Sequence, residues 1–341
     1  MEHLNAGEDK HEDKPMKFLV IGGGSMGKRR IRCLMANGID AGDIRLVDPR
    51  EDRREESRSK YGVDGLNDIQ SGLNWNPDAA MVCVSGERAA NICATLLEGG
   101  KSVFCEVPMG LNADETRKLG MLAQQRGLLA ACGAQQPFHP LIKQCRQWLK
   151  DPAFGKPLAF TLDWGQYVPG WHPYEPLSVF YSASQLTAVM TLEISQLYEI
   201  TGDRIATLKC LRRQTSTLQT PGGDVCDIIG DTRGGMAVSM HFDLLQRSMR
   251  NIARFTSEQG LIELDFAQDH SRRYIVADKQ WETVPSPKGY SYEQCYIDEI
   301  ALFLRCIAGK AQWHNPVAQV IDIVSVFDAM HRDARQSGEK V

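Results

Sequence analysis

The sequence lacks any apolar run long enough to cross a membrane. A helix that spans a bilayer needs roughly 20 consecutive apolar residues, and the apolar stretches of this chain are all shorter. The first fifteen residues are polar and charged, unlike the apolar segment of a secretory signal peptide. We therefore expect a cytoplasmic protein with a disordered tail over 1–15 and no membrane partner.

The sequence also lacks paired cysteines and a marked excess of charge. None of the ten cysteines stands in a C-x-x-C pair, and most lie within apolar segments, as buried thiols in a reducing compartment do. The net charge of −4 offers no basic surface to nucleic acid. We assign His3 and His11 to the polar tail, so the sequence predicts neither a nucleic-acid partner nor a metal site.

The first 135 residues alternate short apolar runs with helical stretches. The predicted strands are 17–22, 44–48, 79–84, 102–106 and 128–133. The predicted helices between them are 26–37, 51–61, 88–99 and 113–126. Strands that alternate with helices form a parallel sheet through right-handed crossovers, so we predict an α/β domain with a doubly wound parallel sheet over 16–135.

A glycine-rich turn, Gly22-Gly-Gly24-Ser-Met-Gly27, follows the first predicted strand and begins the first predicted helix. In such turns the first glycine permits a tight bend, the second lets a pyrophosphate approach the backbone, and the third lets helix and strand pack closely. Ser25 and Met26 begin the helix, whose free N–H groups and positive dipole end favour an anion. This context predicts a dinucleotide-binding Rossmann domain.

The next strand ends at Asp48, at the distance along the chain where such domains carry an acidic residue. A carboxylate there hydrogen-bonds the adenosine ribose and repels a 2′-phosphate, which favours NAD. Arg50 and Arg53 follow closely, and either of them can accommodate a 2′-phosphate. We predict NAD as the cofactor and keep NADP as the less favoured alternative, with Arg50 at the binding site.

After residue 154 the pattern changes to consecutive strands. They are predicted at 158–168, 205–214, 225–231, 235–243, 251–257, 261–266 and 273–277, with helices at 185–200, 292–308 and 316–336. Strands without intervening helices form an antiparallel sheet. We therefore predict an α+β domain for substrate binding and oligomerisation over 136–320, with a large, mainly antiparallel open sheet, and a C-terminal helix and tail over 321–341.

The segment Gly100-Lys-Ser-Val-Phe-Cys-Glu106-Val107-Pro108 carries a family resemblance. Together with the glycine turn and the domain order, it resembles the glucose–fructose oxidoreductase, inositol dehydrogenase and MocA (Gfo/Idh/MocA) family, in which this segment reads Gly-Lys-x-Val-x-x-Glu-Lys-Pro. The resemblance implies hydride transfer between NAD(P) and a sugar, cyclitol, nucleotide sugar or related alcohol. It also implies an active site between the Rossmann domain and an open sheet that often forms the dimer interface.

Three residues that follow predicted strands of the first domain, Ser85, Glu106 and Gln135, complete the predicted cofactor site. They stand at the ends of their strands, and a doubly wound sheet binds its ligand at the carboxyl ends of its strands. Gln136, Phe138 and His139 continue into the same crevice. We expect His139 to cap the helix that begins at the following proline.

The chain departs from the family at its two best-known catalytic positions. Val107 stands where the family has a catalytic Lys, and the best match to its Asp–His–Asp helix is Glu193, Gln196 and Glu199. Oxidation of an alcohol needs a base for the hydroxyl proton and a cation for the developing alkoxide. Val107 and Gln196 supply neither.

Other residues are candidates for the missing chemistry. Glu193 is the one charge in an apolar helical stripe, where burial raises a carboxyl pKa, unless it lies at the stripe's edge and pairs with a basic residue. The segment 163–181 is rich in aromatic and hydrogen-bonding groups suited to a sugar-like ring. Within it we name His172 and Tyr167 as further catalytic candidates.

Three functions remain compatible with this sequence. The first is an NAD-dependent oxidoreductase with substituted catalytic residues. The second is a cofactor-binding pseudoenzyme with a regulatory or assembly role, and the third is an NAD-assisted lyase or epimerase. In each case we expect a small, sugar-like ligand. We also expect a homo-oligomer, a dimer or tetramer, formed through the exposed face of the second sheet.

Overall fold

The computed structural model describes residues 15–171, 185–218, 220 and 223–336. Its N-terminal part is a parallel sheet whose strands follow the order β3-β2-β1-β4-β5-β6. The strands are β1 (Phe18–Ile21), β2 (Ile44–Val47), β3 (Asp64–Leu66), β4 (Ala79–Val82), β5 (Ser102–Cys105) and β6 (Ala130–Cys132). The strand order reverses between β1 and β4, and a ligand crevice forms at the carboxyl edge of such a reversal.

Helices cover both faces of this sheet. They are α1 (Ser25–Ala36), α2 (Glu51–Tyr61), α3 (Ile69–Asn74), α4 (Gly86–Glu98) and α5 (Ala113–Arg126). A capping box begins α5: the Asn112 side chain accepts a hydrogen bond from the Glu115 N–H, and the Glu115 carboxylate accepts one from the Leu111 N–H. The predicted α/β, doubly wound domain is confirmed.

The second sheet follows the order β14-β13-β12-β11-β7-β10-β9-β8. Its strands are β7 (Ala159–Gly165), β8 (Ile205–Arg213), β9 (Val225–Thr232), β10 (Ala237–Asp243), β11 (Arg250–Thr256), β12 (Gly260–Asp265), β13 (His270–Ile275) and β14 (Gln280–Pro285). Neighbouring strands are antiparallel except β7 and β10, which run parallel. The predicted α+β part with a large, mainly antiparallel sheet is confirmed.

Four further helices join the two sheets: α6 (Pro140–Trp148), α7 (Gln185–Thr201), α8 (Glu293–Ile307) and α9 (Val317–Gln336). The last two return to the N-terminal sheet, where α8 packs on α1 and α9 packs on α5. In the other direction, α6 contacts α7, β12 and β13. The crevice at the end of the Rossmann sheet is therefore bordered by elements from both halves of the chain. The predicted domain limits stay predictions.

Three short elements were not expected from the sequence. β3 reads Asp-Gly-Leu and β14 reads Gln-Trp-Glu-Thr-Val-Pro, and each is an edge strand of its sheet. α3 has six residues and is capped by the Asp68 side chain, which accepts a hydrogen bond from the Ser71 N–H. Edge strands and single-turn helices bury little apolar surface, so they leave a weak hydrophobic pattern.

Within the described residues, no helix is long and apolar enough to span a membrane. The same part of the chain holds no cluster of three or more His, Cys, Asp or Glu side chains that could bind a metal ion. All ten cysteines are free thiols and eight of them are buried. The compartment in which the protein works stays a prediction.

Candidate active site

The glycine turn between β1 and α1 has one open position and two closed ones. Gly22 has a φ of 98°, and a Cβ there would lie 2.5 Å from the Cys83 carbonyl oxygen. A Cβ at Gly27 would lie 1.8 Å from the Gly22 carbonyl oxygen, whereas one at Gly24 would have nothing within 4 Å. The turn therefore keeps free space at Gly24, where the motif expects a pyrophosphate.

The helix that follows the turn has no side-chain cap. Gly24 is the N-cap residue of α1, and Ser25 and Met26 begin the helix. Uncapped N–H groups in a first turn are satisfied by water or by a ligand, and an anion is the preferred ligand. These residues fit a dinucleotide pyrophosphate.

Asp48, directly after β2, hydrogen-bonds the backbone of the glycine turn. Its Oδ2 accepts a hydrogen bond from the Gly23 N–H at 2.7 Å, and its Oδ1 accepts one from the Arg50 N–H at 2.9 Å. The Arg53 guanidinium lies 3.2 Å from the same Oδ2, while that of Arg50 pairs with Asp52 at 2.6 Å. The carboxylate thus brings a negative charge, partly balanced by Arg53, to the end of the strand next to the turn.

Two other predicted cofactor residues lie at strand ends on the same edge of the sheet. Ser85 is the N-cap residue of α4, and its side chain makes no capping hydrogen bond. Glu106 follows β5 and forms an ion pair with Arg30, 2.5 Å from its Oε1. Arg30 is fully buried and also pairs with Glu299 of α8 at 2.7 Å. Glu106 therefore connects the end of β5 to α1.

Val107 and Gln135 follow neighbouring strands. The Gly133 N–H donates to the Cys105 carbonyl oxygen, which joins the carboxyl ends of β5 and β6. The Gln135 side-chain amide donates to the hydroxyl oxygens of Tyr292 and Tyr296, at 3.3 and 3.2 Å. Val107, at the position of the family's catalytic Lys, and Gln135 thus lie at the same edge of the sheet.

Glu193 lies on α7 and is 3% exposed. The Asn251 side-chain amide donates to its Oε1 at 3.2 Å, and the Gln136 amide also hydrogen-bonds the carboxyl group. Burial raises the pKa of Glu193 to about 8, against the opposing effect of these two amides. Among the described residues it forms no ion pair, so it is the buried carboxyl group that its apolar stripe predicts.

Several buried polar atoms around Glu193 have no hydrogen-bond partner among the described residues. They are Oε2 of Glu193, Oε1 of Gln136, Oδ1 of Asn251 and both polar side-chain atoms of Gln196. Each of these side chains is less than a tenth exposed. Buried polar atoms are nearly always paired in folded proteins, so this cluster points to a bound ligand or bound water. We call Glu193, Gln136, Asn251 and Gln196 the acceptor cluster.

Three residues of the aromatic segment predicted next to the site have described side-chain contacts. Tyr167 lies beyond β7 with the Arg247 guanidinium 3.6 Å from its ring centre. Asp163 and Trp164 lie on opposite faces of the second sheet, because side chains alternate along a strand; Asp163 pairs with Arg250 and Trp164 packs on Phe242. His172 lies outside the described residues, as do Tyr174 and Tyr181.

His139 has the structural role that its position before a proline suggests. Its Nδ1 accepts a hydrogen bond from the Leu141 N–H at 3.2 Å, capping α6. Its ring packs between Phe266 and Tyr290, and burial lowers its pKa to about 4. His139 is therefore neutral at physiological pH, a hydrogen-bonding residue at the border of the site.

The site also includes residues that the sequence did not indicate. Asn251 is the first buried residue of β11, and Tyr292 and Tyr296 lie one turn apart at the start of α8. Asn251 and Glu193 are 58 positions apart. Only the packing of the second sheet on α7 reveals their contact.

Residues 16–134 match the model of an oxidoreductase family with an NAD-binding Rossmann fold, Gfo/Idh/MocA. The chain is 26% identical over 140 residues to myo-inositol 2-dehydrogenase of Thermotoga maritima, covering 39% of this chain and 42% of that one. It is 22% identical over 155 residues to scyllo-inositol 2-dehydrogenase (NAD⁺) of Bacillus subtilis, covering 44% and 45%. The matches thus span less than half of these relatives.

A longer match is to levoglucosan dehydrogenase of Pseudarthrobacter phenanthrenivorans, 22% identical over 275 residues, or 75% of this chain and 69% of that one. Among solved structures, the fold is similar to an oxidoreductase domain protein from Kribbella flavida (TM-score 0.83, 16% identity, 95% of this chain, 98% of that one). A levoglucosan dehydrogenase complex with NADH and levoglucosan gives a TM-score of 0.81, with 15% identity over 95% and 98% of the chains. These similarities extend the shared fold over both sheets.

The glycine turn, the doubly wound sheet and the family match agree on the N-terminal part of the chain. The expected cofactor, NAD, agrees with the NAD-binding type of that family. Over residues 16–134, the chain matches the NAD-binding Rossmann domain of the Gfo/Idh/MocA family of oxidoreductases.

Proposed function

We propose that this protein is an NAD-dependent oxidoreductase that acts on a hydroxyl group of a small, sugar-like molecule, with Glu193 as the proton acceptor. The observation that carries the proposal is the state of Glu193: buried, with an unpaired Oε2, and hydrogen-bonded by Gln136 just beyond the Rossmann sheet. Relatives named as inositol and levoglucosan dehydrogenases support the substrate class.

The residues of the turn are suited to hold the cofactor. Gly24, Ser25 and Met26 would bind the pyrophosphate through open space and backbone N–H groups. Asp48 would hydrogen-bond the adenosine ribose and repel a 2′-phosphate, which supports NAD over NADP. When bound, NAD supplies the acceptor for the hydride that leaves the alcohol carbon.

Glu193 would take the hydroxyl proton of the same alcohol. The carbon then becomes a carbonyl carbon, its two electrons leave with the hydride, and the proton remains on Oε2. A base works best when its pKa lies near the working pH, and the pKa of about 8 meets this condition. Gln196 and Asn251 would orient the substrate through hydrogen bonds to its other polar groups.

Two observations favour a second candidate, a cofactor-binding pseudoenzyme. Val107 presents no cation to a developing alkoxide, and Gln196 cannot accept a proton. A protein of this kind would bind NAD and a sugar-like ligand without turnover. An NAD-assisted lyase or epimerase is the third candidate. Such an enzyme regenerates its cofactor in each cycle, so it changes the sugar without net formation of NADH.

The test is a turnover assay with a matched variant pair. Purified protein with NAD⁺ is offered inositols, anhydrosugars, amino sugars and nucleotide sugars, and NADH formation is measured alongside product analysis. For a substrate that is turned over, Glu193→Gln should lower kcat by roughly a hundredfold or more, whereas Glu258→Gln, at an exposed turn, should leave kcat unchanged.

The outcomes separate the three candidates. NADH formation that depends on Glu193 supports the oxidoreductase. NAD and ligand binding without any chemical change supports the pseudoenzyme. A changed sugar without net NADH indicates the lyase or epimerase.

A further inference from the structure

The unpaired atoms of the acceptor cluster have a common character. Three of them are oxygens, on Glu193, Gln136 and Asn251. The two amide oxygens can only accept hydrogen bonds, and the same is true of the Glu193 oxygen when the carboxyl group is ionised. Gln196 offers one further acceptor and one donor pair. A ligand in contact with this cluster must therefore present hydrogen-bond donors.

The cluster also lacks a cation within the described residues. The groups that act on Glu193 are the neutral amides of Asn251 and Gln136, and Val107 stands at the neighbouring strand end in place of a lysine. Among the described residues, an ionised Glu193 therefore has no counter-ion, and a buried charge without one is costly in a folded protein.

We propose that the site selects a substrate with a protonated amine beside its reacting hydroxyl group, so that the substrate itself supplies the cation that Val107 does not. The substrate class is then the amino sugars and aminocyclitols. This inference rests on the proposed function for the identity of the reacting hydroxyl, but ligand selection is measurable without turnover.

An ammonium group matches the acceptor cluster in its number of hydrogen-bond donors and in its positive charge. It has three hydrogen-bond donors and no acceptor, so it can be bound by the free oxygens of Gln136 and Asn251 while its charge lies beside the Glu193 carboxylate. That charge favours the ionised carboxylate, which keeps Glu193 able to accept the hydroxyl proton. The same charge stabilises the developing alkoxide, the role of a lysine at position 107.

The same argument disfavours an anionic group in contact with this cluster. A uronate or a phosphate brings only acceptors and negative charge, and the described cluster would offer it the donors of Gln196 alone. A neutral polyol is tolerated but brings no positive charge to favour the ionised form of Glu193. We therefore expect the affinity order amine, then neutral polyol, then anion.

The first experiment measures ligand affinity on the NADH-loaded protein by calorimetry. The probes are glucose, 2-amino-2-deoxyglucose, 3-amino-3-deoxyglucose, their N-acetyl derivatives, myo-inositol, an inosamine and glucuronate. At least one amine should bind about tenfold or more tightly than its parent polyol. N-acetylation removes the charge and should abolish that gain, and glucuronate should bind most weakly.

A second experiment moves the cation from the ligand to the protein. Val107→Lys should weaken binding of the preferred amine by about tenfold or more through like-charge repulsion, and should change binding of the parent polyol much less. Val107→Met has a similar length without charge and is the matched control. Gln136→Met should weaken amine binding as well, whereas Gln70→Met, on the exposed surface of α3, should not.

The results distinguish this inference from the proposed function. Equal affinity for amines and parent polyols, or an amine preference that Val107→Lys leaves intact, overturns the inference even where NADH is formed from a neutral sugar. Amine-selective binding that Val107→Lys removes, with no NADH formed from any probe, upholds the inference and counts against the oxidoreductase.

Discussion

Glu193 shows how one residue acquires its chemical character from its surroundings. The same carboxyl group on an exposed helix face would be ionised at neutral pH, but α7 turns it towards the core, where two amides rather than a cation contact it. Desolvation then dominates and raises its pKa to about 8. Such a shift at the border of a cofactor domain is typical of a functional group.

This shift predicts how stability depends on pH. Between pH 4.5, the ordinary glutamate value, and about 8, the folded protein holds the Glu193 proton that the unfolded chain releases. The free energy of unfolding should therefore fall as pH rises through this interval, by up to about 1.4 kcal/mol per pH unit from this group. Denaturant titrations of Glu193→Gln should show a weaker fall and a more stable protein at pH 8, while Glu258→Gln should follow the wild type.

Val107 predicts that the family's ordinary alcohol dehydrogenation is absent. Loss of one electrostatic contact to a developing oxyanion costs about 3–4 kcal/mol, or roughly a hundred- to a thousandfold in rate. We expect no appreciable NAD reduction with simple neutral sugars and inositols. The informative variant is Val107→Lys combined with Gln196→His, which returns both residues of the family's pattern. Rapid turnover of a neutral polyol by the unmodified protein would contradict this prediction.

At the scale of elements, the sequence predicts best those that bury a continuous apolar surface. The strands of the Rossmann sheet, such as Phe18–Ile21, are almost completely buried and read as apolar runs. The glycine turn can also be predicted from the sequence, since Gly22 and Gly27 stand where a Cβ would clash with the backbone. In contrast, Asp64–Leu66 has no such run and forms only an edge strand.

The candidate site is predictable only in part, for a different reason. Glu193 and Gln135 can be found from a helical stripe and a strand end, which are local patterns. The contacts of Glu193 with Asn251, and of Gln135 with Tyr292, join elements separated by 58 and 157 positions. Such pairs follow from how the helices pack between the sheets, and no local pattern encodes that packing.

The turn between β1 and α1 allows a matched test of its two roles. Gly24→Ala places a methyl group in open space, so we expect NADH affinity to fall by about tenfold or more with little change in Tm, because the cost appears only when the pyrophosphate approaches. Gly27→Ala meets the Gly22 carbonyl oxygen at 1.8 Å and should lower Tm itself. Fluorescence titration and thermal unfolding of both variants check this; equal losses of affinity and stability in both would contradict it.

At the scale of the whole molecule, a buried ion cluster joins distant parts of the chain. Arg30 of α1 pairs with Glu106 after β5 and with Glu299 of α8, and Glu299 also accepts a hydrogen bond from the Ala134 N–H at 2.6 Å. The guanidinium group thus connects α1 to the end of β5 and to α8, and Glu299 connects α8 to the residues after β6.

Removal of Arg30 should therefore be strongly destabilising. Arg30→Met leaves two carboxylates without their cation, and breaking a buried ion pair in this way costs about 3–5 kcal/mol. Arg32→Met removes a largely exposed partner of Glu293 and should cost no more than about 1 kcal/mol. Denaturant unfolding of the two variants provides the comparison. A similar loss of unfolding free energy in both would show that the buried ion cluster stabilises the fold no more than the exposed ion pair does.

The second sheet predicts the assembly state. Its core-facing side chains, such as Phe160 and Leu162, are buried, whereas Ile229 on β9 and Leu211 on β8 are 59% and 42% exposed. Exposed apolar side chains on a wide sheet face are typical of an interface, and the family resemblance implies a dimer through such a face.

We expect light scattering at micromolar concentration to give at least twice the chain mass. Ile229→Lys should reduce it towards the monomer by placing a charge within the interface, whereas Met121→Lys, at an exposed position on α5, should not. A monomeric wild type would remove the predicted interface, and a dimer insensitive to Ile229→Lys would move it to another surface.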